Sequence, residues 1–223
     1  NCKLWSHKRS CGEVVIHKIN LMIKINSVVF DLGNVLIDWD PRYLYRKLFQ
    51  TDEEVEWFLE NICDHDWNLK HDSGQLFSKG ILEKSKKYPE YSELIDAWYQ
   101  RWEEMLGGSI DDSVQVLTDL KAKGVLLYIL SNWSAETYPI AEKRFDFLSW
   151  FDGKIISGEA GIVKPDVEIY KLLIKRHDLN PQHTVFIDDK EENVRAAELL
   201  GIHGIHFQNA SKLRKDLQML KLL

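Results

Sequence analysis

Cysteine is scarce in this chain, with three residues in 223. Cys2, Cys11 and Cys63 form no CxxC pair and no zinc-ligand spacing. So sparse and odd a set excludes a disulfide framework and points to a reducing compartment, the cytoplasm. Proline numbers 5 and glycine 12, too few for a collagenous or low-complexity chain. No apolar run reaches the roughly eighteen residues that cross a bilayer, so no membrane partner is expected. Basic residues are outnumbered, 29 against 35 acidic, for a net charge of −6. That balance argues against a nucleic-acid partner, because phosphate neutralisation needs clustered Lys and Arg.

What is present suits a soluble globular chain: 44% apolar and 29% charged residues. The length allows one to one and a half domains and a sizeable core. Tryptophan is plentiful, at 8 residues. The first stretch, NCKLWSHKRSCGEVVIHKINL, is polar and basic and lacks the apolar centre of a secretory signal. Met22 opens MIKINSVVFDLG, a natural start one short strand before the first motif. Residues 1–21 are therefore expected to be a leader outside the natural domain. They carry Lys3, Lys8, Arg9 and Lys18 against Glu13, so the remainder is the more acidic part.

Five short β-rich runs follow: Ser27–Asp31, Val125–Ser131, Lys154–Ser157, Thr184–Asp188 and Gly204–Phe207. At least three are nearly continuously apolar, as strands buried on both faces of a parallel sheet are. Helical patterns separate them. Val114, Leu117 and Leu120 mark one, Val167, Tyr170 and Ile174 another, and Val194, Ala197 and Leu200 a third. The alternation predicts an α/β fold with a doubly wound parallel sheet. One gap breaks the rhythm. Asp31 to Ser131 is far longer than a single βαβ step of about thirty residues. The excess, residues 40–106, reads as a helical insertion over a core formed by residues 22–39 and 107–223. Its expected helices are Pro41–Phe49, Asp52–Asn61, Leu76–Lys87 and Tyr91–Leu106, with Gly107-Gly108 as a hinge.

Ligands of open α/β sheets bind outside the carboxyl ends of the strands. Asp31, Ser131-Asn132 and Asp188-Asp189 stand at such ends, and Lys164 lies in the loop SGEAGIVKPD. Two carboxylate-bearing strands, a hydroxyl and an ammonium suit phosphoryl transfer. One carboxylate can attack phosphorus, and others can hold Mg²⁺, which prefers oxygen ligands. The hydroxyl and ammonium can grip the remaining phosphate oxygens. Asn132 could equally touch substrate or cap the turn.

In order and spacing, VVFDLGNVL, ILSN, VKPD and FIDDKEEN resemble the four motifs of the haloacid dehalogenase superfamily. The insertion resembles that superfamily's helical C1 cap. The resemblance implies Asp31 as nucleophile, Ser131 as phosphate ligand, Lys164 as stabilising cation and Mg²⁺ as cofactor. Asp189 would ligate the metal directly and Asp188 indirectly, although sequence does not order that pair. Superfamily phosphatases usually carry a second Asp two positions after the nucleophile. Here Gly33 stands there, keeping the backbone carbonyl for the metal and losing the acid. The loss is tolerable where the leaving group needs little protonation, as in a sugar 1-phosphate. DLGNV also resembles the bacterial α-D-glucose-1-phosphate phosphatase branch. Asp38, His65 and His71 remain as substitute acids, though both histidines read first as cap-surface residues. Two other readings stay open: a metal-independent 2-haloacid dehalogenase and a non-catalytic binder of a phosphorylated ligand.

Most of the tryptophans fall in or beside the insertion. Trp57, Trp98 and Trp102 are expected to fill its core. Trp39 and Trp67 stay open as pocket candidates.

Overall fold

The computed structural model describes residues 24–223; the expected leader lies outside them. Among the described residues there are seven strands: β1 (Ser27–Phe30), β2 (Ile37–Trp39), β3 (Leu106–Ser109), β4 (Leu126–Ser131), β5 (Gly153–Ile156), β6 (Thr184–Asp188) and β7 (His203–His206). Five of them form one parallel sheet in the order β5-β4-β1-β6-β7. The near-continuous apolar runs have a simple cause. Alternate side chains enter opposite layers, and both layers are core. Val28, Phe30, Ile129, Val185 and Ile187 face one layer, and Val29, Leu130 and Phe186 the other.

The first layer is closed by Val116, Leu117 and Leu120 of helix Asp111–Ala122 and by Leu213 and Leu217 of helix Ala210–Met219. The second is closed by Ile169, Tyr170 and Leu173 of helix Val167–His177 and by Ala196 and Ala197 of helix Glu191–Glu198. Register then sets the functional end. Phe30 pairs with Ile129 on one side and Ile187 on the other. The next residue, Asp31, therefore emerges between the ends of β4 and β6, and its N–H donates to the Ile187 carbonyl at 2.9 Å.

The insertion leaves and rejoins the core through a two-stranded antiparallel ribbon of β2 and β3. The expected hinge at Gly107-Gly108 is part of this ribbon, with Gly108 opposite Asp38. Glycine is required there for space. A Cβ on Gly107 would collide with the Asp38 carboxylate and the Tyr43 ring, which are bonded to each other at 2.7 Å. Gly108 also has φ +143.

Beyond the ribbon lie helices Arg42–Tyr45, Asp52–Asn61, His65–Asp72, Phe77–Lys87 and Ser92–Gln100 and a 3-10 turn at Trp102–Met105. Helix His65–Asp72 was not expected, because its residues show no apolar period. It starts on Asp64, whose side chain accepts from Trp67 N at 2.7 Å. The expected Pro41–Phe49 helix is shorter, and the Tyr91–Leu106 pattern breaks at Arg101. Among the described residues, no helix is long and apolar enough to cross a membrane.

The aromatic residues sort in part as expected. Trp98 and Trp102 are buried, but Trp57 is 47% exposed and lies against Tyr91 on the surface. Trp67 is core rather than pocket, wedged between His71 and Trp98 at ring distances of 4.6 and 5.4 Å. His71, expected at the surface, is fully buried and stacks on Phe77 at 4.0 Å. It shares the inward face of its helix with Trp67, one turn away.

Leu173 is fully buried under the sheet, away from the strand ends. Leu173→Ala should cost about 2–5 kcal/mol of stability, read by urea denaturation, with activity per folded molecule unchanged.

Candidate active site

The three carboxylates of β1 and β6 meet at one place. Oxygens of Asp31, Asp188 and Asp189 all lie within 4.8 Å of one another. Adjacent strands impose this, because Asp31 directly follows β1 and Asp188 ends its neighbour β6. Lys164 arrives from the loop before helix Val167–His177, and its side chain is 1% exposed. Its ammonium contacts Asp188 Oδ2 at 2.6 Å and Asp31 Oδ1 at 3.0 Å, and donates to the Leu130 carbonyl at 2.9 Å. A buried lysine tolerates this position because it has two anions and a carbonyl around it. The neighbouring carboxylates hold its pKa above the usual range, against the opposing effect of burial.

Three donors converge on one oxygen of Asp31. Oδ1 takes Leu32 N–H at 2.7 Å, Ser131 Oγ–H at 2.8 Å and the lysine. Asp31 is nonetheless pushed up to about 7, first by burial and then by Asp188 and Asp189, against the pull of Lys164 and Ser131. Asp188 is fully buried and well occupied. Oδ1 accepts from Lys190 N at 2.8 Å and Asn193 Nδ2 at 3.0 Å, and Oδ2 takes Lys164. Asp189 faces the cavity, and burial and Asp188 raise its pKa. Asn132 also lines the cavity, but its amide is engaged with the Lys164 main chain. Its Oδ1 accepts from Lys164 N at 2.8 Å, and its Nδ2 donates to Lys164 O at 3.0 Å. That pair of bonds fixes the loop that delivers the ammonium.

A cavity of 330 Å³ opens in front of this cluster, a size suited to a small ligand. Its floor includes Asp31, Gly33, Ser131, Lys164 and Asp189. Its walls include Trp39, Phe77, Trp98 and Trp102 of the ribbon and insertion, and Trp133 of the core. Trp39 is thus a pocket residue, and Trp98 and Trp102 are both core and wall. Trp133 was missed, because a single Trp two residues beyond Ser131 has no sequence period to betray it.

Helix His65–Asp72 adds a stripe of Asp64, His65, Asn68, Leu69 and Asp72. Its spacing of three and four was the signal available in the sequence. Of the substitute acids, His65 lines the cavity, whereas Asp38 is tied to Tyr43 and His71 faces the core. Burial lowers the His71 pKa.

The insertion sits directly on the core loops. Ser157 Oγ donates to the Asp72 carbonyl at 2.5 Å, Phe77 N to Glu136 at 2.6 Å, and Lys190 Nζ approaches His65 Nε2 at 3.3 Å.

Comparison with known proteins agrees with this architecture. The sesquiterpene phosphatase AstK of Aspergillus oryzae is 26% identical over 201 residues, covering 87% of this chain and 95% of that one. A phosphorylated carbohydrates phosphatase of Thermotoga maritima is 24% identical over 197 residues, covering 82% and 84%. Among solved structures, a HAD-family enzyme of Bacteroides thetaiotaomicron, complexed with magnesium and inorganic phosphate, has the same fold. Its TM-score is 0.62 at 24% identity, with 83% of this chain and 95% of that one covered. The model of haloacid dehalogenase-like hydrolases matches residues 25–201, from the strand that carries Asp31 to the helix that follows Asp188-Asp189. The chain belongs to the haloacid dehalogenase-like hydrolases.

Proposed function

We propose that this hydrolase, a phosphatase of phosphorylated small molecules, attacks phosphorus with Asp31, requires Mg²⁺, and takes a sugar 1-phosphate as substrate. One observation carries the reading. Ser131, Lys164 and Leu32 N–H all hold Asp31 Oδ1 at the cavity floor. That arrangement orients the carboxylate and directs Oδ2 to the attack. Ser131 and Lys164 then serve the phosphate oxygens as charge builds on them.

The donor set fits Mg²⁺. Three clustered carboxylates and one ammonium leave an excess of negative charge, and all the donors are hard oxygens. Burial first, and the neighbouring carboxylates after it, raise the pKa values of Asp31 and Asp189. Asp189 and the Gly33 carbonyl would hold the ion directly, and Asp31 Oδ1 would join them as Ser131 and Lys164 turn to the phosphate oxygens. Asp188, with both oxygens engaged, would hold the group in place from behind. When bound, the ion offsets charge on the phosphoryl group. A metal-independent dehalogenase would leave this repulsion uncompensated, which favours the phosphatase.

Two features support a sugar as the organic part. Indole side chains line the cavity, and aromatic rings suit the apolar faces of a sugar ring. Trp98 Nε1, Trp133 Nε1 and Thr137 Oγ1, all on cavity-lining residues, have no hydrogen-bond partner among the described residues. The relatives named above act, by their names, on phosphorylated carbohydrates or a sesquiterpene phosphate.

Asp31→Asn should abolish p-nitrophenyl phosphate hydrolysis while leaving the fold intact, read by circular dichroism. Retained turnover would overturn the nucleophile. Phosphate release should stop in excess EDTA; halide release from a 2-haloacid that persists there would select the dehalogenase. Saturable sugar-phosphate binding without phosphate release at any Mg²⁺ level would select the binder.

Carboxyls with folded pKa values of about 7 and ordinary values of 3.8 favour the fold below about pH 4. That contribution is lost as pH rises through 7. Mg²⁺ should therefore raise the Tm of EDTA-treated protein more at about pH 8 than at about pH 5. Equal shifts would count against metal binding at this cluster. In a substrate panel, sugar 1-phosphates should exceed 6-phosphates in kcat/KM, and the reverse order would remove the sugar 1-phosphate assignment.

A further inference from the structure

Position 33 supplies no acid, and the space before it is empty. A Cβ built on Gly33 would meet nothing within 4 Å. A carboxyl from the insertion does line the same cavity. It belongs to Asp72, the last residue of helix His65–Asp72. Its main chain is anchored to the core by Ser157 Oγ at 2.5 Å. Its carboxylate accepts from Asn68 Nδ2 at 3.0 Å. It shares the cavity lining with Ser134, three residues beyond Ser131, which itself bonds Asp31. The turn beyond is pinned as well, since a Cβ on Gly74 would press on the Gly158 carbonyl. Asp72 is therefore a fixed carboxyl in the cavity wall, and the phosphate grip described above makes no use of it.

We propose that Asp72 is the general acid–base of this site, acting over Asp31 in place of the acid missing at position 33. The proposal rests on the aspartyl-phosphate reading. In the first step Asp31 Oδ2 bonds phosphorus as the bond from phosphorus to the alcohol oxygen breaks. The Asp72 proton passes to that oxygen, and the free alcohol leaves. In the second step a water oxygen bonds phosphorus, its proton goes to Asp72, and the bond from phosphorus to Asp31 breaks. Inorganic phosphate is released, Asp31 is again a carboxylate and Asp72 is again protonated.

The surroundings suit both roles. Burial pushes Asp72 up to about 7, where a group can both give and take a proton. The charged groups around it are Lys190 and Lys164, which favour the carboxylate, and Asp31, which opposes it. The acid comes from the insertion, so it meets substrate only when the insertion sits on the core as it does here.

The test uses two near-isosteric substrates of the whole enzyme with Mg²⁺. Phenyl phosphate has a basic leaving group; p-nitrophenyl phosphate has one that departs without help. Asp72→Asn should lower kcat/KM for phenyl phosphate by about 10²–10⁴. With p-nitrophenyl phosphate it should keep a stoichiometric first burst of p-nitrophenolate, within about threefold of the wild-type rate, followed by slow turnover. The alkaline limb of the kcat/KM profile for phenyl phosphate, where Asp72 loses its proton, should also disappear. Ser157→Ala, which removes the bond to the Asp72 carbonyl and the one accepted from Trp133 N but leaves the Asp72 carboxyl in place, should affect both substrates equally.

Phenyl phosphate turnover that stays within about threefold in Asp72→Asn overturns the proposal. So does an equal loss on both substrates with no burst, since that is the behaviour of a docking residue. A burst that survives Asp31→Asn would instead overturn the nucleophile on which the second step depends.

Discussion

The structure depends on one buried ammonium. Lys164 lies between Asp31 and Asp188, almost wholly removed from water. An isolated buried charge is too costly to keep, so each partner requires the others. The surrounding contacts follow from that requirement. The Leu130 carbonyl takes another ammonium proton, Asn132 clamps the lysine main chain, and Asn193 holds the far carboxylate. Remove the ammonium, and two carboxylates at the ends of adjacent strands face each other without compensation. The cluster still carries more negative than positive charge, and that imbalance suits a dication and a phosphoryl group.

The insertion gives this charge cluster its setting. Seated on the loops after β4 and β5, it closes a cavity in which electrostatic interactions are stronger than in open water. The same indoles hold the insertion together and line the cavity. Trp98 packs against Trp67 and also lines the cavity, so the wall cannot change without disturbing the packing behind it. The ribbon of β2 and β3 ties both crossings into one hydrogen-bonded unit, and Gly107 lets Asp38 and Tyr43 approach closely.

Much of the fold could be read in the sequence, because a strand buried on both faces must be apolar throughout. Ser27–Phe30 and Thr184–Asp188 are such strands, and the polar residues at their ends are the ones that gather at the site. Helix His65–Asp72 escaped that reading. Its sequence, HDWNLKHD, divides into Trp67 and His71 facing the core and His65, Asn68, Leu69 and Asp72 facing the cavity. A helix with a cavity on one side is free to be polar on that side, so the usual apolar stripe is absent. Trp57 shows the opposite case, a large aromatic in a plausible core position that the fold leaves at the surface.

The sequence by itself determined the alternation of strands and helices, the insertion between the first two motifs and the residue types at the strand ends. These depend on local pattern and on chemical identity, which a linear string records. Tertiary structure alone decided that Asp72 and Trp133 share a cavity with Asp31, and that Asn132 is engaged with the Lys164 main chain. It also decided that His71 is core. Those outcomes depend on how the insertion seats on the core, through contacts between residues far apart in the chain such as Ser157 and Asp72. No period or spacing in the sequence encodes such contacts.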